Sequence, residues 1–325
     1  MSTRSPNTFR WRGAQSSAWN NGLNWVDQNC TVYAANEYPG YDGSNSANVN
    51  GDTVILDAAP TNALAGYDAS TRGQLASFKV TSAYNTTIGA SASNPLILSL
   101  QNSGTANIDG SNAGNIFLRG AGNGISGIST QGTKSGSAIT LDGTIGDCTF
   151  FAGNIAIAAT AVVSNSLQVS CLTTPMTDVT LTIASGATLP ATVIATGGKV
   201  TCNTALQTLM HLNGSWTQTA DVNELDQNGG TFVWNGGNIG TLNLNVGTVD
   251  ASQAPAVTRN IGNATIGKQG TLNLSGTGGN VSWGEIQINN GTITYPAGQI
   301  ILSSDDAWKI SSSRFRGTTW KIETS

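Results

Sequence analysis

Three acidic side chains, Asp221, Glu224 and Asp226, crowd the segment ADVNELDQNGG, the densest cluster of reactive groups in the chain. Glycoside hydrolysis uses two carboxyl groups about 5–9.5 Å apart, one as acid and one as base or nucleophile. Asp250 follows about one repeat later and would stack near the cluster in a coiled chain. A lyase would also need a base and a cation, and the surrounding stretch offers only isolated cations such as Lys199, Arg259 and Lys268. The cluster therefore reads as a solvated acidic loop. No catalytic residue is assigned and no enzymatic activity is expected. His211 is the sole histidine, which rules out a metal site built from several imidazoles and leaves no sign of a nucleophile triad. Within TLMHLNGSW it reads as a structural residue.

Metal and cofactor signals are equally sparse. The stretch YDGSNSANVNGD, Tyr41–Asp52, is rich in oxygen ligands but lacks the order of an EF-hand loop. The glycines of RGAGNGISG, Arg119–Gly127, are not followed by the Lys-Ser/Thr of a phosphate loop. No cofactor and no metal are expected. Cys30, Cys148, Cys171 and Cys202 form no CxxC pair. Buried free thiols are the expectation, with a Cys171–Cys202 bridge as the alternative if one coil stacks on another.

The elements behind these residues are short. Only 10% of the 325 residues are charged, against about 25% in ordinary globular chains. Gly, Ser, Thr, Asn and Ala dominate, and the Leu/Glu/Lys/Ala-rich stretches of helical proteins are missing. Segments such as VTLTIASGATL, GTFVWNGG, IGTLNLNVGTVDAS, IGKQGTLNLSGTGG and IQINNGTITYPAGQIIL alternate apolar and polar residues and are punctuated by Gly-Thr, Asn-Gly and Gly-Gly. GTLNL occurs twice, at Gly240–Leu244 and Gly270–Leu274. A unit of roughly 20–25 residues recurs, in the range of stacked repeats.

A strand of this length buries only two apolar side chains, so one unit cannot form a core. Stacked units can, with Asn, Thr and Ser aligned in outer ladders and Gly at the corners. The sequence predicts an all-β, single-domain parallel β-helix (a β-solenoid) over 51–304. An N-terminal Trp-rich cap and opening segment cover 1–50, and a C-terminal cap or contact tail covers 305–325. An array of immunoglobulin-like sandwiches is the competing architecture, because strands about 8–12 residues apart also mark sandwiches.

The ends differ from the middle. Trp11, Trp19 and Trp25 lie close together, and the next tryptophan is Trp216. Open strand edges need covers, so the three are expected to be a buried structural cap; a carbohydrate-stacking platform is the alternative. Seven of the fourteen Lys and Arg residues lie near the termini: Arg4, Arg10, Arg12, Lys309, Arg314, Arg316 and Lys321. The tail mixes cations with aromatics, so Trp308, Lys309, Arg314, Phe315, Arg316 and Trp320 are candidate protein-contact residues. The plainer reading is that they cap the last coil.

The opening pattern has a counterpart. WRG (Trp11–Gly13), Trp19, NW (Asn24–Trp25), Tyr38–Pro39 and GDTVILDA (Gly51–Ala58) together resemble the N-terminal segment of β-solenoid structural proteins of tailed bacteriophages and of related repeat-bearing bacterial surface proteins. The resemblance spans about 60 residues in motif terms; the rest of the chain is similar only in style. It implies no catalytic residues. Bacterial surface relatives would carry an export signal, and residues 1–25 contain no apolar signal core.

The expectation is a non-enzymatic virion structural protein, made in the host cytoplasm, decorating the capsid surface or forming part of a head or tail fibre. Expected partners are capsid or other virion proteins and further copies of the chain, with a trimer by analogy. A tailspike-like protein that binds or cleaves host glycan and a bacterial adhesin are the alternatives. The net charge of −4 gives no footprint for nucleic acid. No apolar run long enough for a membrane span is present, so no membrane partner is expected.

Overall fold

Alternation decides where each side chain points. In Leu242-Asn243-Leu244 both leucines are buried and the asparagine between them is not, as the two-residue period of a strand requires. The same pattern recurs in Val179–Ile183 and Leu225–Gln227. The computed structural model describes residues 4–170, 179–252, 259–275, 281–289, 291–294, 298–302, 308–311, 314–316 and 320–324, with the backbone alone for 283 and for residues beyond 294. Among the described residues the chain is all-β, with no α-helix and two single-turn 3-10 helices, Gly22–Asn24 and Ala69–Thr71. The strands pair mainly in parallel. Antiparallel strand pairs among them are Arg10–Trp11 with Trp25–Val26, and Tyr41–Asp42 with Ala47–Asn48.

The chain divides into two compact units, where the sequence predicts one domain. The first is Met1–Ser166 with Asp178–Thr180; the second is Leu167–Thr177 with Leu181–Ser325.

In the first unit, successive parallel strands bring Phe9, Val54, Phe78, Ala106, Ile128 and Cys148 into one register column. All six are buried. A second column runs Leu64, Ile88, Ile116, Ile139, and a third runs Tyr67, Leu96, Leu118, Leu141. Burying a Leu or Ile side chain is worth about 1.5–3 kcal/mol. Each rung contributes only a few such residues, so the core exists only once rungs stack.

The second unit repeats the scheme. Val193, Leu209, Leu225, Leu242, Ala264 and Ile286 form one inward column. Val200, Trp216, Phe232, Val249, Leu272 and Ile293 form another. Leu206, Val222, Ile239 and Ile261 form a third. The spacing along the first column is 16, 16, 17, 22 and 22 residues, so the repeat has no fixed period.

Gly-Thr marks one corner of this stack. Thr231, Thr248, Thr271 and Thr292 are successive register partners, each preceded by glycine. Gly230 and Gly247 have φ of +64° and +93°. A Cβ on Gly230 would lie 2.4 Å from the Gly214 carbonyl oxygen, so both backbone conformation and space demand glycine there. The two GTLNL copies are not equivalent: Thr241 pairs with Asn263 while Thr271 pairs with Thr248, placing the pentapeptide on two different faces of the rung. Parallel pairing also runs past residue 304. Strands Trp308–Ser311, Arg314–Arg316 and Trp320–Thr324 pair with Ile286–Asn289, Thr292–Thr294 and Gly298–Leu302.

Candidate functional site

The N-terminal aromatic cluster is built on the strand Thr8–Trp11. One edge of this strand pairs in parallel with Asp52–Leu56, and the other pairs antiparallel with Trp25–Val26. Trp11, Trp19 and Trp25 are all fully buried. Trp25 meets Trp11 and Trp19 edge-on, each at 4.9 Å, and Phe9 at 6.2 Å. Every indole N–H has an acceptor: Trp11 donates to the Asn62 carbonyl at 3.2 Å, Trp19 to Pro39 at 3.4 Å and Trp25 to Trp19 at 2.8 Å. Buried rings with satisfied nitrogens offer no face for sugar stacking.

The N-terminal cations are paired with acids of the same region. Arg4 forms a two-pronged pair with Asp52, at 2.7 and 2.6 Å, and reaches Glu37 at 3.1 Å. Arg10 and Arg12 both pair with Asp57. All three N-terminal arginines are thus engaged in ion pairs within the chain. The same bonds absorb the oxygen-rich Tyr41–Asp52 stretch. Asp52 also accepts from the backbone N–H of Asn7 and Gly40. Asp42 accepts from Arg4, Ser44 and Asn45.

The acidic trio lies on the second unit. Glu224 and Asp226 occupy outward positions on the strand Val222–Trp234, flanking buried Leu225. Glu224 accepts from the Thr208 hydroxyl at 3.4 Å, and Asp226 from the Asn243 amide at 2.7 Å. Asp221 accepts from the Asn238 backbone N–H at 2.7 Å. Asp221 also lines a groove of about 380 Å³ with Gln207, Asn223 and Asn238; Glu224 and Asp226 lie outside it. Asp250 does not stack on the cluster, a correction with a register cause. Its partner one rung earlier is Val233, whereas Asp226 is followed by Asn243.

These carboxylates belong to a wider set of rung-to-rung bonds. Asn245 donates to Asn228 at 3.0 Å, Asn273 to Asp250 at 3.0 Å and Ser166 to Asp147 at 2.6 Å. Arg119 pairs with its register partner Asp142 at 2.6 Å. No group of three or more metal-ligating His, Cys, Asp or Glu residues occurs among the described residues.

His211 is buried and hydrogen-bonded to Gln227 on the next rung. Arg259, an isolated cation in the sequence, is also buried, with its guanidinium 5.4 Å from the Trp234 ring and a bond to the Asn235 carbonyl. Cys202 and Cys148 are buried free thiols and Cys30 is exposed; Cys171 lies outside the described residues.

Sequence reasoning missed one further feature. Lys79, Thr81, Asn107, Asp109 and Gln131 line an open groove of about 390 Å³ on the first unit. Gln131 is the extra residue of a bulge between Thr130 and Gly132, the kind of irregularity that redirects a side chain. Nothing local in the sequence marks it. The candidate contact side chains of Trp308, Lys309, Arg314, Phe315, Arg316 and Trp320 lie outside the described residues, although their backbones form strands. No described helix is long and apolar enough to cross a membrane.

The chain matches no family model, no curated protein and no solved structure.

Proposed function

We propose that this chain is a non-enzymatic structural protein of a tailed-phage virion, most simply a decoration of the capsid surface, built from two stretches of parallel β-helix. The observation that carries the reading is the division of labour on each rung. Inward columns are mostly apolar from strand to strand, and outward acids and amides bond to the next rung. A surface whose polar groups hold its own rungs together suits a scaffold. The N-terminal aromatic cluster is its cap: Trp11, Trp19 and Trp25 cover the first rung, and the antiparallel Trp25–Val26 strand occupies the edge that another chain would otherwise use. The phage resemblance of the opening motif supplies the virion assignment. Residues 305–325 are the proposed contact with the capsid or with further copies. Imaging of particles with and without the protein tests the reading. Loss of surface density in its absence supports it, and unchanged particles refute it.

A glycan-binding role is a second reading, favoured by the polar groove of Lys79, Asn107, Asp109 and Gln131. Saturable binding of host polysaccharide, lost in Gln131→Ala, would favour it over the purely structural role.

A further inference from the structure

In an Asn-Gly pair the asparagine carboxamide can react with the chain itself, because glycine has no Cβ to shield its nitrogen. The pair occurs at seven positions, and the fold treats them differently. Gly22, Gly51 and Gly236 donate their N–H groups to the carbonyls of Ala35, Gln74 and Gln218, so these nitrogens are engaged away from the preceding side chain. The Asn228 carboxamide is tied into the outer ladder, accepting from Asn245 at 3.0 Å and donating to the Asp226 carbonyl at 3.5 Å. At Asn123 the backbone N–H bonds to Ser99, and among the described residues nothing holds the carboxamide over Gly124. Asn290 lies outside the described residues.

Asn213–Gly214 is the exception. Ser215 is the register partner of Thr231, so Gly214 lies at the same corner of the second unit as Gly230, and Asn213 is exposed there. On both sides the chain is pinned to the preceding rung: Leu212 N–H donates to Ala195 and Ser215 N–H to Gly198, each at 2.8 Å. Between them, Gly214 N–H donates to Asn213 Oδ1 at 2.8 Å. The carboxamide carbon, one bond from that oxygen, is thereby held beside the Gly214 nitrogen, and pre-paid positioning of this kind is what speeds an intramolecular reaction. Gly214 has φ of +87°, and a Cβ on it would lie 2.4 Å from the Gly198 carbonyl oxygen. The corner thus demands the very glycine that leaves its nitrogen open to reaction.

We propose that Asn213–Gly214 is a self-modification site of the second unit. The Gly214 nitrogen gives its proton to solvent base and bonds to Asn213 Cγ. The Cγ–Nδ2 bond breaks, and the leaving nitrogen takes up a proton and departs as ammonia, leaving a succinimide. Water then opens either imide carbonyl and yields aspartate or isoaspartate, with no change of oxidation state. Aspartate adds a negative charge at the exposed corner. Isoaspartate routes the main chain through the former side chain and adds a methylene where the neighbouring rungs leave no room, since a Cβ on Gly230 would also lie 2.4 Å from the Gly214 carbonyl oxygen.

The test is peptide mapping by mass spectrometry of the full chain, held native and in urea at the same mildly alkaline pH, with fragment spectra locating each amide-to-acid mass gain. Native Asn213 should convert within about tenfold of its unfolded rate or faster, releasing ammonia and giving both aspartate and isoaspartate. Asn21, Asn50, Asn228 and Asn235 should each be slowed by more than about tenfold in the native chain, because each must first open locally. In Asn213→Gln, where attack would close a larger ring, the gain at this position should vanish. Slowing of native Asn213 by more than about tenfold, or faster native conversion at any other described Asn-Gly pair, would overturn the assignment. Both readouts come from the wild-type chain and do not depend on the folding of a variant.

Discussion

Trp25 stands edge-on to Trp19, ring centroids 4.9 Å apart at 76°, and its indole N–H donates to the Trp19 backbone carbonyl at 2.8 Å. Packing and hydrogen bonding thus converge on one pair, and Trp11 also meets the Trp25 ring edge-on, at 4.9 Å. Trp25→Ala should lower stability by roughly 3–5 kcal/mol, the usual cost of emptying a large aromatic site. Trp25→Phe, which keeps most of the volume and loses the N–H, should cost less. Denaturant unfolding of both variants checks this ordering. Near-neutral behaviour of the alanine variant would remove the cap assignment.

Gly230 tests the corner geometry. Alanine there meets a positive φ and the Gly214 carbonyl together. Gly230→Ala should cost about 1–3 kcal/mol, the range for a non-glycine residue held in a strained conformation. Thr231→Val, one residue on and partly exposed, should stay within about 0.5 kcal/mol. A shift of the urea midpoint in the first variant and not in the second is the expected result.

How much of this was legible beforehand depends on range. The alternation in TLNLN, the Gly-Thr corners and the tryptophan cluster are local, and each predicts its own structure. Register is not local. The two GTLNL copies look like equivalent repeats yet sit on different faces, because the register partner of Leu242 is Ala264, not Leu272, which pairs with Val249. Arg4 finds Asp52 across 48 residues and Arg10 finds Asp57 across 47; no spacing rule announces such pairs. His211 and Gln227 were within reach. LQTLMH and VNELDQ carry the same apolar pattern 16 residues apart, and aligning them would have stacked the two side chains.

The acidic trio should prove structural. Asp226→Ala removes the acceptor for the Asn243 amide, and at a partly exposed site this should cost about 0.5–1.5 kcal/mol. Asp226→Asn should cost less, since an amide oxygen can still accept. The purified wild-type protein should release no reducing ends from host capsule or lipopolysaccharide. Sustained depolymerisation that Glu224→Gln or Asp226→Asn abolishes would overturn the non-enzymatic assignment.

Thiol chemistry separates surface from core. Cys30 is exposed, whereas burial holds the Cys148 thiol well above its ordinary range and raises Cys202 to about 11. Maleimide at neutral pH should label Cys30 quickly and Cys148 and Cys202 only on unfolding. The sign with pH follows. Both buried thiols stay protonated in the fold and ionise near pH 8.5–9 when the chain unfolds, so their contribution to stability is intact below roughly that range and is lost as pH rises. Rapid native labelling of Cys148, read by mass spectrometry, would contradict the burial.

The C-terminal strands decide between contact and cap. Arg314–Arg316 and Trp320–Thr324 each continue a parallel ladder from the preceding rung, so their backbones belong to the stack, while their cations and aromatics are the residue types enriched in interfaces. Removing residues 314–325 takes away these two strands and leaves Trp308–Ser311 in place. The inward columns of the earlier rungs do not depend on that rung, because each rung is buried chiefly by its neighbours. The truncated chain should therefore keep its β-sheet circular dichroism and a cooperative unfolding transition, and lose self-association or particle binding in sedimentation assays. If binding and oligomeric state survive truncation, the contact lies elsewhere. If the chain fails to fold, these strands are a cap, and single charge reversals at Arg314 and Arg316 in the full-length protein then test the contact: retention of binding in those variants removes it.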